Sequence, residues 1–163
     1  MTDQLLDFRP GWDDWAMSIA FAVATRADCR RALVGAVMLN SDHRVISTGY
    51  NGTAAGRDGC LAGNCPRGRH TYHELAREMP YDKPGDAYCI ATHAEMNALL
   101  YADPLHLRDA SMYVTIRPCQ WCYKVIANTM VSRIIFPAAE MTVEGYYRAK
   151  TYNIPIELTV DMV

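Results

Sequence analysis

Two short strings hold residue types able to bind and use a divalent cation: His93-Ala94-Glu95, and further along Pro118-Cys119-Gln120-Trp121-Cys122. One imidazole and two thiolates form a three-ligand zinc set whose fourth tetrahedral position stays open for water, as in catalytic rather than structural sites. Glu95, two places beyond His93, can reach that water without being a ligand and is placed to move its proton. Pro118 fits the first turn of a helix and holds Arg117 extended, so Cys119 and Cys122, three apart, share one helix face. Two thiolates offset the formal charge of zinc, and helix N-termini aimed at the site supply compensating positive potential. A closed structural zinc with a fourth protein ligand is the alternative, and it leaves Glu95 without a role.

The elements that position these strings are readable from periodicity. Trp12–Ala27 carries Trp15, Ala16, Ile19, Ala20 and Val23 at helical spacing, which predicts a helix with one buried stripe. Residues 32–39 (ALVGAVML) and 45–50 (VISTGY) predict two antiparallel strands around a polar turn. Residues 51–92 lapse into Gly, Pro, Asp and Arg, with three cysteines and with His70 and His73; so long an irregular stretch inside a domain is functional or pinned. Helices are then expected over 93–102, 119–130 and 143–152, and strands over 111–116, 133–136 and 154–160. Strands alternating with helices imply an α/β sheet covered on both faces, with parallel pairing across the helical crossovers.

With 163 residues, half of them apolar, the chain is one domain's worth, read as a single domain over 1–163 with no repeat. A net charge of −2 leaves no broad cationic field, which argues against polymeric nucleic acid as the partner. No apolar run reaches membrane-spanning length, and the acidic opening Met-Thr-Asp-Gln-Leu-Leu-Asp does not read as a signal peptide, so a cytoplasmic protein is expected. In that compartment six cysteines point to metal thiolates rather than disulfides.

The His-x-Glu and Pro-Cys-x-x-Cys strings resemble the signature of zinc nucleobase deaminases. Within that superfamily the chain resembles the deoxycytidylate (dCMP) deaminase family over roughly residues 12 to 137. The likeness is carried by Val34-Gly35-Ala36-Val37 after a basic Cys-Arg-Arg, Gly49-Tyr50-Asn51-Gly52, His93-Ala94-Glu95-Met96-Asn97-Ala98, and Tyr113-Val114-Thr115. The resemblance implies a three-layer α/β/α cytidine-deaminase-like fold with a mixed five-stranded sheet. It implies zinc-dependent hydrolysis of dCMP to dUMP and ammonia, supplying dUMP for thymidylate synthesis, with His93, Cys119 and Cys122 as ligands and Glu95 as the catalytic proton carrier. It further implies substrate contacts from Asn51, Ala94 and Tyr50, a homo-oligomer (a hexamer), and dCTP and dTTP as effectors. Asn51 also fits as half of an Asn-Gly turn, and Tyr50 fits equally as a regulatory or core residue. Arg117 and Trp121 depart from the family pattern, and the Tyr146–Lys150 segment suits either a nucleotide or an exposed amphipathic helix.

The resemblance also implies a second, structural zinc. Cys29 and Cys60 match its family positions, and Cys65 and Cys89 complete the set most simply, with His70 or His73 as possible replacements and free buried thiols as the alternative. Two other functions stay open: the same chemistry on cytidine, a modified dCMP, dCTP or tRNA adenosine, and a zinc-stabilised binding module or thiol redox protein built on Cys119-x-x-Cys122.

Overall fold

The computed structural model describes residues 9–77, 79–137 and 156–159. Its elements are α1 (Trp12–Ala24), β1 (Gly35–Leu39), β2 (Val45–Tyr50), α2 (Ala94–Leu100), β3 (Ser111–Val114), α3 (Gln120–Ala127), β4 (Arg133–Pro137) and β5 (Ile156–Thr159). The sheet runs β2-β1-β3-β4-β5. β1 pairs antiparallel with both β2 and β3, whereas β3–β4 and β4–β5 are parallel, so α3 is the helical crossover between parallel neighbours.

The α/β class and mixed pairing follow from how the strands alternate. All five residues of β1 are buried because both of its faces are covered. Val37 and Leu39 join Tyr113 and Ile135 beneath Ala16, Met17 and Ala20 of α1. Ala36 and Met38 face the other way, with Met112, Val114, Ile134 and Phe136, toward Ala94 and Ala98 of α2 and Tyr123 and Ile126 of α3. The described helices therefore form one layer on each side of the sheet.

Several elements are shorter than their periodicity predicts. The apolar stripe of α1 ends in a turn, where Thr25, Arg26 and Ala27 donate to Ala22, Val23 and Ala24. His93 and Cys119 are N-caps with extended backbones rather than helical residues. β1 starts at Gly35, where α1 passes so close that a Cβ would overlap the Ala20 carbonyl and the Ala24 amide. Gly49 of β2 is seated in the same way against the backbone of Ala94 and Ala98 in α2. Of the expected last two elements, the strand is present as β5, while the 143–152 helix and Tyr146–Lys150 lie outside the described residues.

Candidate metal centre

His93 and Cys119 each occupy the last extended position before a helix (ψ 155° and 171°), and Cys122 lies in the first turn of α3. The His93 Nδ1 is 3.4 Å from each sulfur, and the two sulfurs are 3.6 Å apart. Tetrahedral zinc with Zn–S of about 2.3 Å and Zn–N of about 2.0–2.1 Å requires donor separations of about 3.5–3.8 Å. The three donors therefore fit that ion in both type and spacing. Among the described residues they are the one trio of His, Cys, Asp or Glu whose donor atoms lie within 4.8 Å of one another.

The electrostatics favour a cation. The Cys119 thiol is held down at about 4, first by the hydrogen bond with Cys122 and then by His93, against a burial that raises it. Cys122 moves the opposite way, well above the usual thiol range, because it is the proton-holding partner of the pair and is buried. For His93 burial favours the neutral ring, but the Cys119 hydrogen bond and the charges of Glu95 and Cys119 outweigh it and raise its value. A metal ion would replace these shared protons, since ligating thiols and imidazole bind it deprotonated.

Glu95 is 4% exposed, and burial pushes its carboxyl above the ordinary carboxylate range, with His93 pulling it back. Its side chain meets Cys122, so it stands beside the donor trio without belonging to it. The cavity in front of the trio is lined by His93, Ala94, Glu95 and Cys119, and by Asn51, Val34 and Ile116 across from them.

Of the proposed substrate contacts, Ala94 and Asn51 line this cavity. The amide of Asn51 is already engaged: its Oδ1 accepts from Val34 N–H at 2.9 Å and its Nδ2 donates to the Ala32 carbonyl at 2.9 Å, fixing the cavity wall. Tyr50 is not brought to the cavity. Gly49 faces α2, so strand alternation turns the next side chain to the other face of edge strand β2, where it is 41% exposed. Its carbonyl instead accepts from Asn97 Nδ2 at 2.7 Å, a tie between β2 and α2.

Sequence reasoning missed three side chains of the irregular stretch and its approach. Arg67 is 2% exposed and donates to the carbonyls of Ala76, Arg77, Pro80 and Ala87. Its guanidinium lies over the Tyr81 ring, 4.4 Å from the centroid, and Tyr81 meets the His93 ring edge-to-face at 4.7 Å. Arg31 donates to the carbonyls of His70, Thr71 and Leu75 and stacks on Tyr72. The buried Arg67 and the partly buried Arg31, both satisfied by carbonyls, thus pin much of the 51–92 stretch.

The other four cysteines line the far side of the same cavity. Their sulfurs lie in two pairs: Cys65 and Cys89 at 4.0 Å, and Cys29 and Cys60 near enough for Cys29 to raise the Cys60 thiol. Gly68 makes room for them, as a Cβ there would overlap the Cys60 sulfur. Burial pushes Cys60 up to about 11 and Cys89 to about 12. The His70 ring points elsewhere, 3.9 Å from both the Glu74 and Asp86 carboxylates, and His73 is exposed.

Residues 10–138 match the family model described as the cytidine and deoxycytidylate deaminase zinc-binding region. A deoxycytidylate deaminase of Mycobacterium phage D29 is 44% identical over 133 residues, covering 79% of this chain and 96% of that protein. The human deoxycytidylate deaminase is 30% identical over 125 residues, 77% of this chain and 64% of that protein. The fission yeast relative is 34% identical over 130 residues, 79% of this chain but only 38% of its own length. Among solved structures, a cyanophage S-TIM5 dCMP deaminase in complex with dCMP and dUMP superposes with a TM-score of 0.66 at 19% identity, over 93% of this chain and 99% of that one, a likeness of fold.

Proposed function

The chain belongs to the cytidine and deoxycytidylate deaminase family, and from that premise we propose that it hydrolyses dCMP to dUMP and ammonia, supplying dUMP for thymidylate synthesis. The observation that carries this is the compact trio of His93, Cys119 and Cys122 with the buried Glu95 carboxyl beside it. Those three side chains would hold zinc, which when bound supplies Lewis-acid activation of water.

Glu95 moves the protons. Its carboxylate accepts one proton from the attacking water and returns it to the ring nitrogen, then carries the second, from the hydroxyl left on carbon 4, to the departing amine, so that water in and ammonia out balance the reaction. Burial raises this carboxyl above the ordinary carboxylate range, which makes its anion a better proton acceptor from water. The Ala94 N–H, among the first of α2 and so without an intrahelical acceptor, is available to the polar edge of the pyrimidine. Val34 and Ile116 give the cavity apolar lining for the face of the ring.

Loss of absorbance with dCMP, deoxycytidine, dCTP and CMP as substrates, with and without chelator, tests this function. Turnover restricted to another substrate would transfer the assignment to that substrate, and indifference to chelator would return Cys119 and Cys122 to the redox reading.

The proposal extends to a second, structural zinc on Cys29, Cys60, Cys65 and Cys89, supported by the two close sulfur pairs and the room left by Gly68. A tetrathiolate ion would draw the pairs together and add its binding energy to folding. Plasma mass spectrometry showing about one zinc per chain, rather than two, would remove it. A cytoplasmic homo-hexamer answering to dCTP and dTTP is proposed on the family resemblance. The assembly is further supported by the exposed apolar side chains Leu100 and Tyr101 at the end of α2 and Leu105 in the turn that follows. Sedimentation analysis and assays with each triphosphate test both parts.

A further inference from the structure

We propose that Tyr81 is a positioning residue of the metal centre: its ring, backed by the Arg67 guanidinium, holds the His93 imidazole in the orientation that aims Nδ1 at the two cysteine sulfurs. The inference rests on the reading that His93 is a metal ligand and adds how that ligand is oriented.

A ligating imidazole that is free to rotate presents Nδ1 only part of the time, so metal sites fix the ring with a second layer of contacts. Here the flank of the imidazole is held by an aromatic ring. The Tyr81 and His93 rings lie edge-to-face, centroids 4.7 Å apart and planes at 84°. This geometry favours aromatic pairs and resists rotation of either ring. Tyr81 is itself held. Arg67 lies over it at 4.4 Å from the centroid and cannot swing away, because its two terminal nitrogens are bound to the carbonyls of Ala76, Arg77, Pro80 and Ala87 at 3.0–3.2 Å. The Tyr81 carbonyl accepts from the Cys89 N–H at 2.8 Å, and the Arg67 N–H donates to the Tyr88 carbonyl at 3.0 Å. The backbone at 67, 81 and 88–89 is thereby knitted into one support. A desolvated cation on an aromatic face is among the stronger contacts of its kind, so the stack is stiff where it meets His93.

The long irregular stretch thus does more than cover the cavity; it carries the contact that orients a ligand twelve positions later in the chain. The hydroxyl of Tyr81 is not needed for this, only the ring.

The test compares Tyr81→Phe with Tyr81→Leu in cobalt-loaded protein, reading the ligand-field and sulfur-to-cobalt bands and the metal affinity by competition with a chromophoric chelator. Tyr81→Phe should keep the wild-type spectrum and affinity. Tyr81→Leu, folded by circular dichroism, should shift the bands and weaken binding by about 10–100-fold, the usual cost of losing an outer-layer partner. A folded Tyr81→Leu chain with wild-type bands and affinity overturns the proposal. Wild-type protein whose sulfur-to-cobalt bands are no different from those of Cys119→Ser overturns the metal-centre reading instead. A measurement on the intact side chain decides the matter should the Leu variant not fold. In 3-fluorotyrosine-labelled protein, the ¹⁹F resonance that Tyr81→Phe removes should move when zinc is added, and a resonance that stays in place overturns the proposal.

Discussion

Replacing Gly49 by Ala should damage the metal centre from beneath without touching a ligand. The added Cβ would overlap the Ala94 carbonyl oxygen and the Ala98 amide nitrogen and stand 3.0 Å from the Ala98 Cα. All three are backbone atoms of α2, so no side-chain rotation relieves the overlap. Restoring ordinary contact distances of about 3.5–4.0 Å moves the helix outward by upward of about 1 Å. Overpacking of this kind costs about 1–3 kcal/mol. In a chain of this size each kcal/mol lowers Tm by about 2–4 °C, giving a fall of roughly 2–12 °C. The retreat carries His93, Ala94 and Glu95 with α2 while Cys119 and Cys122 stay with α3, and a misplacement of about 1 Å in a reacting site costs about 10²-fold in rate. Gly35→Ala is the control. It collides with α1 at Ala20 and Ala24 on the opposite face of the sheet, so it should cost similar stability and leave kcat near wild type. Thermal melts, together with dCMP turnover measured well below each Tm, decide the point. Wild-type kcat in Gly49→Ala, or an equal loss of kcat in Gly35→Ala, would refute the reasoning.

Glu95→Gln keeps the buried shape but cannot accept a proton, so turnover should fall by about 10²–10⁴-fold with zinc content unchanged; near-normal turnover would remove its role. Cys119→Ser should lose both zinc, read by plasma mass spectrometry, and activity, because a hydroxyl is a poor replacement for a thiolate ligand. On the other face of the sheet, the buried Tyr113 hydroxyl donates to Asp13 at 2.6 Å, and burial together with Asp13 raises its ionisation above the ordinary tyrosine value. The folded chain therefore keeps a proton that the unfolded chain sheds above about pH 10. Its contribution is fully present below that pH and is lost as the pH rises through the folded value. Urea melts from about pH 8 to about pH 11 should show a shallower alkaline decline in Tyr113→Phe than in wild type. Parallel declines would show that Tyr113 does not hold that proton.

What could be read in the sequence was what local chemistry enforces. Ligand types at helix starts are fixed by a few neighbouring residues, and Pro118 alone forces the turn that presents Cys119. The order of strands and helices along the chain was likewise legible, and it was enough to give a sheet covered on both faces. Side-chain alternation along β2 could have placed Tyr50 away from the cavity, since Gly49 and Tyr50 must face opposite ways. The glycine in each strand was a further unused signal for close helix approach. Arg67 carried no such signal. An arginine satisfied by four carbonyls has no acidic partner at a fixed spacing, and the residues supplying those carbonyls read individually as loop. Yet a buried guanidinium is tolerated only where its donors are met, so those carbonyls must converge before Tyr81 can be stacked and His93 oriented. Order in the 51–92 stretch and ligand geometry at the metal centre are therefore one requirement. A change that loosens the carbonyl nest, even far from the cavity, should be felt first at His93.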